Sequence, residues 1–153
     1  MAPLDSFDLA ILRILQKDNR TPQREIGEAV NLSAPSVQRR IRRMEADGVI
    51  RAQVAQIAPE AVGLPLTIIV QVELVSETPD AIDAAKQRFR DAPEVQQCHY
   101  VTGEADFILV VIVASMSAYE DFTRRMFFEG ANVRKFRTMV SMGEVKTGTM
   151  LNI

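Results

Sequence analysis

This sequence is poor in the residues that build staples and cofactor cradles. It holds one cysteine, Cys98, one histidine, His99, and no tryptophan in 153 residues. A single cysteine excludes an internal disulfide framework and fits a reducing compartment. One histidine beside one cysteine cannot complete a zinc site, and on a predicted strand the two side chains point to opposite faces. No glycine-rich phosphate loop or dinucleotide fingerprint occurs, and no pair of carboxylates stands in a context that marks acid–base work. No catalytic residue, metal or cofactor is therefore expected. Apolar runs are short as well. The stretch 107–114 is far too brief to cross a bilayer, and the N-terminus lacks the basic-then-apolar layout of a signal peptide. The expectation is a cytoplasmic protein without membrane attachment. The seven methionines are scattered and read as fillers of core and interface gaps.

Charge of one sign is scarce in the total and concentrated in one place. The formal net charge is −2. Residues 1–50 hold eight basic and seven acidic residues, leaving +1; residues 51–153 hold ten and thirteen, leaving −3. Four arginines of the first part, Arg39, Arg40, Arg42 and Arg43, lie in one predicted helix. Ser33 can cap that helix, Pro35 suits its first turn, and Gly48 suits its end. Val37, Ile41 and Met44 form one apolar stripe, and the arginines fall off it. A helix with one buried seam and a guanidinium-rich remainder suits a polyanion, although a solvated basic helix has the same pattern.

The residues before it favour the polyanion. Asp5 and Asp8 form a loose capping box ahead of a helical face made by Phe7, Ile11, Leu12, Ile14 and Leu15. Thr21-Pro22 opens a short second helix whose inward residues are Ile26, Ala29 and Val30. A tight turn at Asn31-Leu32-Ser33 leads into the arginine helix. Three helices with this spacing match a helix-turn-helix. In that geometry Ser33, Ser36, Gln38 and Arg39 lie nearest base edges, with Pro35 in the same first turn. Arg40, Arg42 and Arg43 divide between phosphates and acids of the protein itself.

The second half reads as a different architecture. Residues 50–57 alternate in part and read as a strand leaving the helix, followed by a Pro- and Gly-bearing boundary at 58–65. Predicted elements then run strand (66–75), helix from Thr78-Pro79 to Asp91, strand (95–101) and strand (107–113). A helix capped by Ser117 and a last strand (133–145) complete the order. The order β-α-β-β-α-β is the ferredoxin-like split motif, so the fold class is α+β. Ile82, Ala85 and Phe89 face inward from one helix, Tyr119, Phe122 and Met126 from the other. Two helices cover one face of such a sheet. Ile69, Ile108, Val110, Ile112 and Val140 supply its two apolar faces, and the uncovered one calls for a second copy. The expected domains are 1–50, a linker over 51–65, and 66–153.

Between the middle strands, Thr102-Gly103-Glu104-Ala105-Asp106 is the best small-molecule candidate. Glycine lets a backbone N–H approach a ligand carboxylate, and Asp106 can accept from an α-ammonium group. A plain β-turn explains the same residues.

The motifs Leu4-Asp5-x-x-Asp8-x-x-Ile11-Leu12, Leu15-Gln16-Lys17-Asp18, and Leu32-Ser33 through Met44-Glu45-x-x-Gly48-Val49-Ile50 resemble the Lrp/AsnC, or feast/famine, regulators. The resemblance covers the whole chain. It implies a winged or helix-turn-helix domain joined to a ferredoxin-like RAM domain, and double-stranded DNA as partner. It further implies sheet-to-sheet homodimers that assemble to octamers or other higher oligomers. It also implies an amino-acid effector held at an inter-dimer pocket. Val101, Thr102, Gly103 and Asp106 match the family's V-[ST]-G-x-x-D turn at that pocket. Tyr100, Met116, Met139, Val140 and Ser141 align with positions that shape it, and Ala105 stands where an aromatic is common. The leading reading is a sequence-specific transcriptional regulator modulated by an amino acid or related metabolite. The second is a ferredoxin-like small-molecule-binding or enzymatic domain with a helical protein-interaction module.

Overall fold

The computed structural model describes residues 3–130 and 132–153. The chain divides into two compact units, one running to Gln56 and joined by Lys146–Ile153, the other Ile57–Val145.

The first unit contains α1 (Ser6–Leu15), α2 (Gln23–Val30) and α3 (Ala34–Ala46). The capping box at the start of α1 is reciprocal: Asp8 N–H donates to Asp5 Oδ1 (2.9 Å) and Asp5 N–H to Asp8 Oδ2 (3.1 Å). Ile11, Leu12, Ile26, Val30, Val37, Ile41 and Met44 form the core. Two inward assignments move. Phe7 is exposed and Asp8 takes the buried position, because Asp8, Ile11 and Leu12 share the inner face of α1. In α2 Gly27 is buried and Ala29 is exposed. Asn31 in the left-handed conformation (φ 57°) closes the α2–α3 turn, with Leu32 N–H donating to Gly27 O (2.9 Å). Ser33 caps α3 and Gly48 (φ 72°) follows it, as the residue types require.

The predicted strand over 50–57 does not form. Residues 51–57 are exposed and belong to no ladder, because an extended segment becomes a strand only when a second strand supplies its hydrogen bonds. Among the described residues, all the strands lie in the second unit. The end of the chain also departs from the expected 66–153 grouping. Leu151 N–H donates to Gln16 Oε1 (2.6 Å), Gln16 Nε2 to Leu151 O (3.2 Å), and Arg13 Nε to Ile153 O (2.6 Å). The Gln16 amide thus supplies the donor and acceptor that a neighbouring strand would offer.

The second unit is β1 (Leu66–Leu74), α4 (Pro79–Asp91), β2 (Val95–Tyr100), β3 (Phe107–Val113), α5 (Met116–Thr123) and β4 (Val133–Val140). Its antiparallel sheet has the order β2-β3-β1-β4, as the split motif demands. Ile68, Val70, Val72 and Leu74 of β1 and Phe107, Leu109, Val111 and Val113 of β3 alternate into the core with Ala85, Phe89 and Phe122. The helix after β3 is capped by Ser115, whose Oγ accepts from Ala118 N–H (3.1 Å), rather than by Ser117. Capping two residues earlier satisfies the helix start as soon as β3 ends. A π-helical turn, Arg124–Phe128, extends α5. β4 stops at Val140 instead of 145 because its partner runs out: Ser141 N–H still donates to Thr67 O (2.9 Å), but β1 begins at Leu66, just after Pro65.

The helix-free face of this sheet carries Ile69, Ile108, Val110, Ile112 and Met139, with His99, Gln71 and Arg137 around them. Ile69 and Met139 stand 37% and 44% exposed. Val140 lies opposite Ile68 and so belongs to the covered side.

Candidate nucleic-acid interface and effector turn

In the first unit the arginines of α3 separate into two pairs. Arg39 and Arg42 are exposed, and neither has an ion pair among the described residues. Arg40 and Arg43 turn inward. Arg40 Nη1 donates to Asp5 Oδ2 and Asp8 Oδ1, both at 2.8 Å, and its guanidinium lies 5.5 Å from the centre of the Phe7 ring. Arg43 Nη2 donates to Asp8 Oδ2. Burial pushes the Asp8 carboxyl up, but the bonds from Arg40, the Asp5 backbone and Arg43 outweigh it and hold the group below its ordinary value. Arg40, between two carboxylates, is correspondingly raised.

The first turn of α3 presents Ser33, Pro35, Ser36 and Gln38. Ser33 is occupied as a cap: its Oγ accepts from Ser36 N–H (3.4 Å) and donates to Ser36 Oγ (3.0 Å). Gln38 is half-buried beside exposed Arg39.

In the second unit the turn after β2 is held by backbone and by one carboxylate. Val101 N–H donates to Asp106 O and Asp106 N–H to Val72 O, both at 2.9 Å. Asp106 Oδ2 accepts from Leu74 N–H (2.7 Å), so this carboxylate ties the turn to the end of β1 while Oδ1 remains for another donor. Gly103 has φ 124°, which disfavours any side chain there, and Thr102 and Gly103 are exposed.

The register decides which expected effector residues meet. The turn abuts Val72 and Leu74. Met139, Val140 and Ser141 lie opposite Ile69, Ile68 and Thr67, and Met116 follows β3 beyond Val113, the partner of Leu66. Five residues of strand separate Val72 from Thr67, about 16 Å at the usual rise. One chain therefore holds Tyr100, Val101, Thr102, Gly103 and Asp106 at one end of the sheet and Met116 and Ser141 at the other, with Val140 and Met139 lying from that end toward the middle.

Tyr100 also lines a cleft of about 390 Å³ between α4 and β2, with Lys86, Arg90, Cys98 and Phe107, which includes none of Val101 to Asp106. Lys86 Nζ sits 5.2 Å from the Tyr100 ring centre. Burial pushes the Cys98 thiol above its ordinary value, which disfavours the nucleophilic thiolate. His99 lies on the opposite sheet face, opposite Ile108. Among the described residues no cluster of histidine, cysteine and carboxylates is placed to hold a metal, and no helix is long and apolar enough to cross a membrane.

Sequence reasoning missed two residues of the first unit. Asp8 was legible only as a cap, and Gly27 gave no signal at all, because the partners of both lie in α3 or just before it.

Residues 4–51 match the family of winged helix-turn-helix DNA-binding domains, and residues 67–151 match the Lrp/AsnC ligand binding domain. An uncharacterised HTH-type transcriptional regulator of Sinorhizobium fredii is 46% identical over 143 residues, which span 94% of this chain and 85% of that protein. The crystal structure of an AsnC family transcriptional regulator from Agrobacterium tumefaciens has a TM-score of 0.90 at 32% identity, covering 97% of both chains. A transcriptional regulator of Neisseria meningitidis in complex with L-methionine has a TM-score of 0.89 at 30% identity, covering 98% of this chain and 97% of that one.

Proposed function

We propose a division of labour within this chain, which belongs to the Lrp/AsnC family of transcriptional regulators. α3 enters the major groove of double-stranded DNA, with Ser36, Gln38 and Arg39 toward base edges and Arg42 on phosphate. Ser33 and Pro35 set the first turn, while Arg40 and Arg43 hold the helix in place. The chain acts in the cytoplasm as a regulator and not as an enzyme. Its partner on the open sheet face is a second copy. The effector pocket is composite: the turn 101–106 of one protomer faces Met116 and Met139–Ser141 of another. The register carries this reading, because one chain keeps the turn at one end of the sheet and Met116 and Ser141 at the other.

An amino acid suits the turn. The Gly103 backbone can meet a carboxylate, and Asp106 Oδ1 can accept from an ammonium group. L-methionine, the ligand of the Neisseria relative, is the first probe. At a hundredfold excess over Kd a ligand adds about 2.7 kcal/mol of stability. Asp106→Asn keeps an acceptor for Leu74 N–H and removes the charge, so it separates ligand binding from folding. We expect the wild type to show a thermal shift with L-methionine or another of the amino acids. The same ligand should change affinity for a selected DNA duplex by roughly 5- to 150-fold. Asp106→Asn should lose both effects while keeping its basal melting temperature and DNA affinity. An unchanged ligand response in this variant would place the effector elsewhere.

The open face gives a second expectation. Val110 stands at its centre with Ile108 and Ile112 on the same strand. Val110→Glu should convert the assembly to folded monomers in sedimentation velocity, since an unpaired charge cannot be buried between two sheets. Unaltered sedimentation would mean that this face is not the interface.

A further inference from the structure

Asp8 is the one wholly buried carboxylate among the described residues, and the established chemistry of DNA binding does not need it at the surface. Every oxygen it has is used. Oδ1 accepts from Arg40, and Oδ2 from Arg43 and from the Asp5 backbone N–H. Arg40 is 20% exposed and is further confined by Asp5 and by the Phe7 ring; Arg43 is 38% exposed. A guanidinium committed to a buried carboxylate is fixed against α1: swinging out to follow a phosphate would break that bond and leave the carboxylate unpaired, which is far more costly than leaving a surface pair. Arg39 and Arg42 face no such choice.

We infer that Asp8 is a positioning residue for DNA recognition: it fixes α3 on α1 through Arg40 and Arg43 and withholds both arginines from the phosphate backbone. This rests on the reading that α3 binds DNA. It has a consequence that a merely stabilising ion pair lacks. Counterion release counts the cations that meet phosphates, so the slope of log K against log salt reports Arg42 but neither Arg40 nor Arg43. Freeing the second pair adds charge without adding register, which favours random DNA over the operator.

The test uses the full chain and two duplexes of equal length, one enriched by in vitro selection with this protein and one of random sequence. Binding is followed by fluorescence anisotropy across a salt series. Arg42→Ala should flatten the salt slope by about one for each protomer engaged, on both duplexes. Arg40→Ala and Arg43→Ala should leave the slope unchanged. Asp8→Asn should steepen it. The same variant should weaken the selected duplex by about tenfold, the size of one lost base contact, with binding to the random duplex kept or tightened. Asp5→Asn is the milder companion. It retains a good cap and removes one of the two carboxylates that hold Arg40, whose bond to Asp8 Oδ1 remains, so it should move the slope in the same direction by less, whether or not Asp8→Asn folds. Flattening by Arg43→Ala or Arg40→Ala as large as that by Arg42→Ala would overturn the inference. So would equal losses on both duplexes at unchanged slope in the Asp8 and Asp5 variants. Wild-type binding that ignores salt would remove the DNA-contact reading of α3 and this inference together.

Discussion

Asp8→Ala is expected to destabilise the first unit by about 3 kcal/mol, near the lower end of what removing one partner of a buried ion pair costs. The lower end applies because the guanidinium groups left behind can hydrate: Arg43 is 38% exposed and Arg40 20%. The loss also includes half of the capping box, since Asp5 N–H gives up its acceptor. Hydrogen exchange of the α1 and α3 amides under increasing urea measures the change in this unit alone. A difference under about 1 kcal/mol would make the cluster equivalent to an exposed pair. The pH dependence has a definite sign. Asp8 is held below its ordinary value of 3.8, so its contribution is complete above that value and is lost as pH falls through the lower folded value. The wild type should keep the clamp at neutral pH and lose it only below about pH 4, whereas Asp8→Ala should lack that part of the acid loss.

Gly27→Ala should carry the second large effect, with a sign opposite to helix propensity. In an open helix interior, alanine in place of glycine stabilises by about 1 kcal/mol. Here the added Cβ would stand 2.4 Å from the backbone oxygen of Leu32 and 3.5 Å from Ala34 N. The obstacle is backbone in the tight turn closed by Asn31, so no side chain can swing aside. Relief requires α3 to move off α2. A cost of about 2–3 kcal/mol is expected, at the upper part of the range for overpacking, together with weakened DNA binding because α3 is displaced. Thermal unfolding and duplex titration of the variant check both. A neutral or stabilised Gly27→Ala would mean that the turn opens freely.

Local patterns were read well where the physics is local. β3 runs Phe107–Val113 as its β-branched composition indicates, and α3 is bounded by Ser33 and Gly48 as capping chemistry requires. The split-motif topology followed from the order of elements, because few connections fit it. The pattern failed where a partner decides the outcome. The alternation over 50–57 has no second strand, and β4 ends with its neighbour rather than with its own apolar run.

The sequence by itself determined the helix-turn-helix, the order of the sheet and the clustering of arginine on one helix. Periodicity, capping residues and charge are properties of short windows. Tertiary structure decided which arginines are free, because the carboxylates that bind Arg40 and Arg43 lie 32 to 35 positions away and reach them only once α1 packs on α3. It also decided that Gly27 is needed for space, that Gln16 takes the backbone of Leu151, and that the turn at 101–106 stands at the other end of the sheet from Ser141. Each of these depends on what lies across a gap in space, and a single chain of letters records separation only along itself.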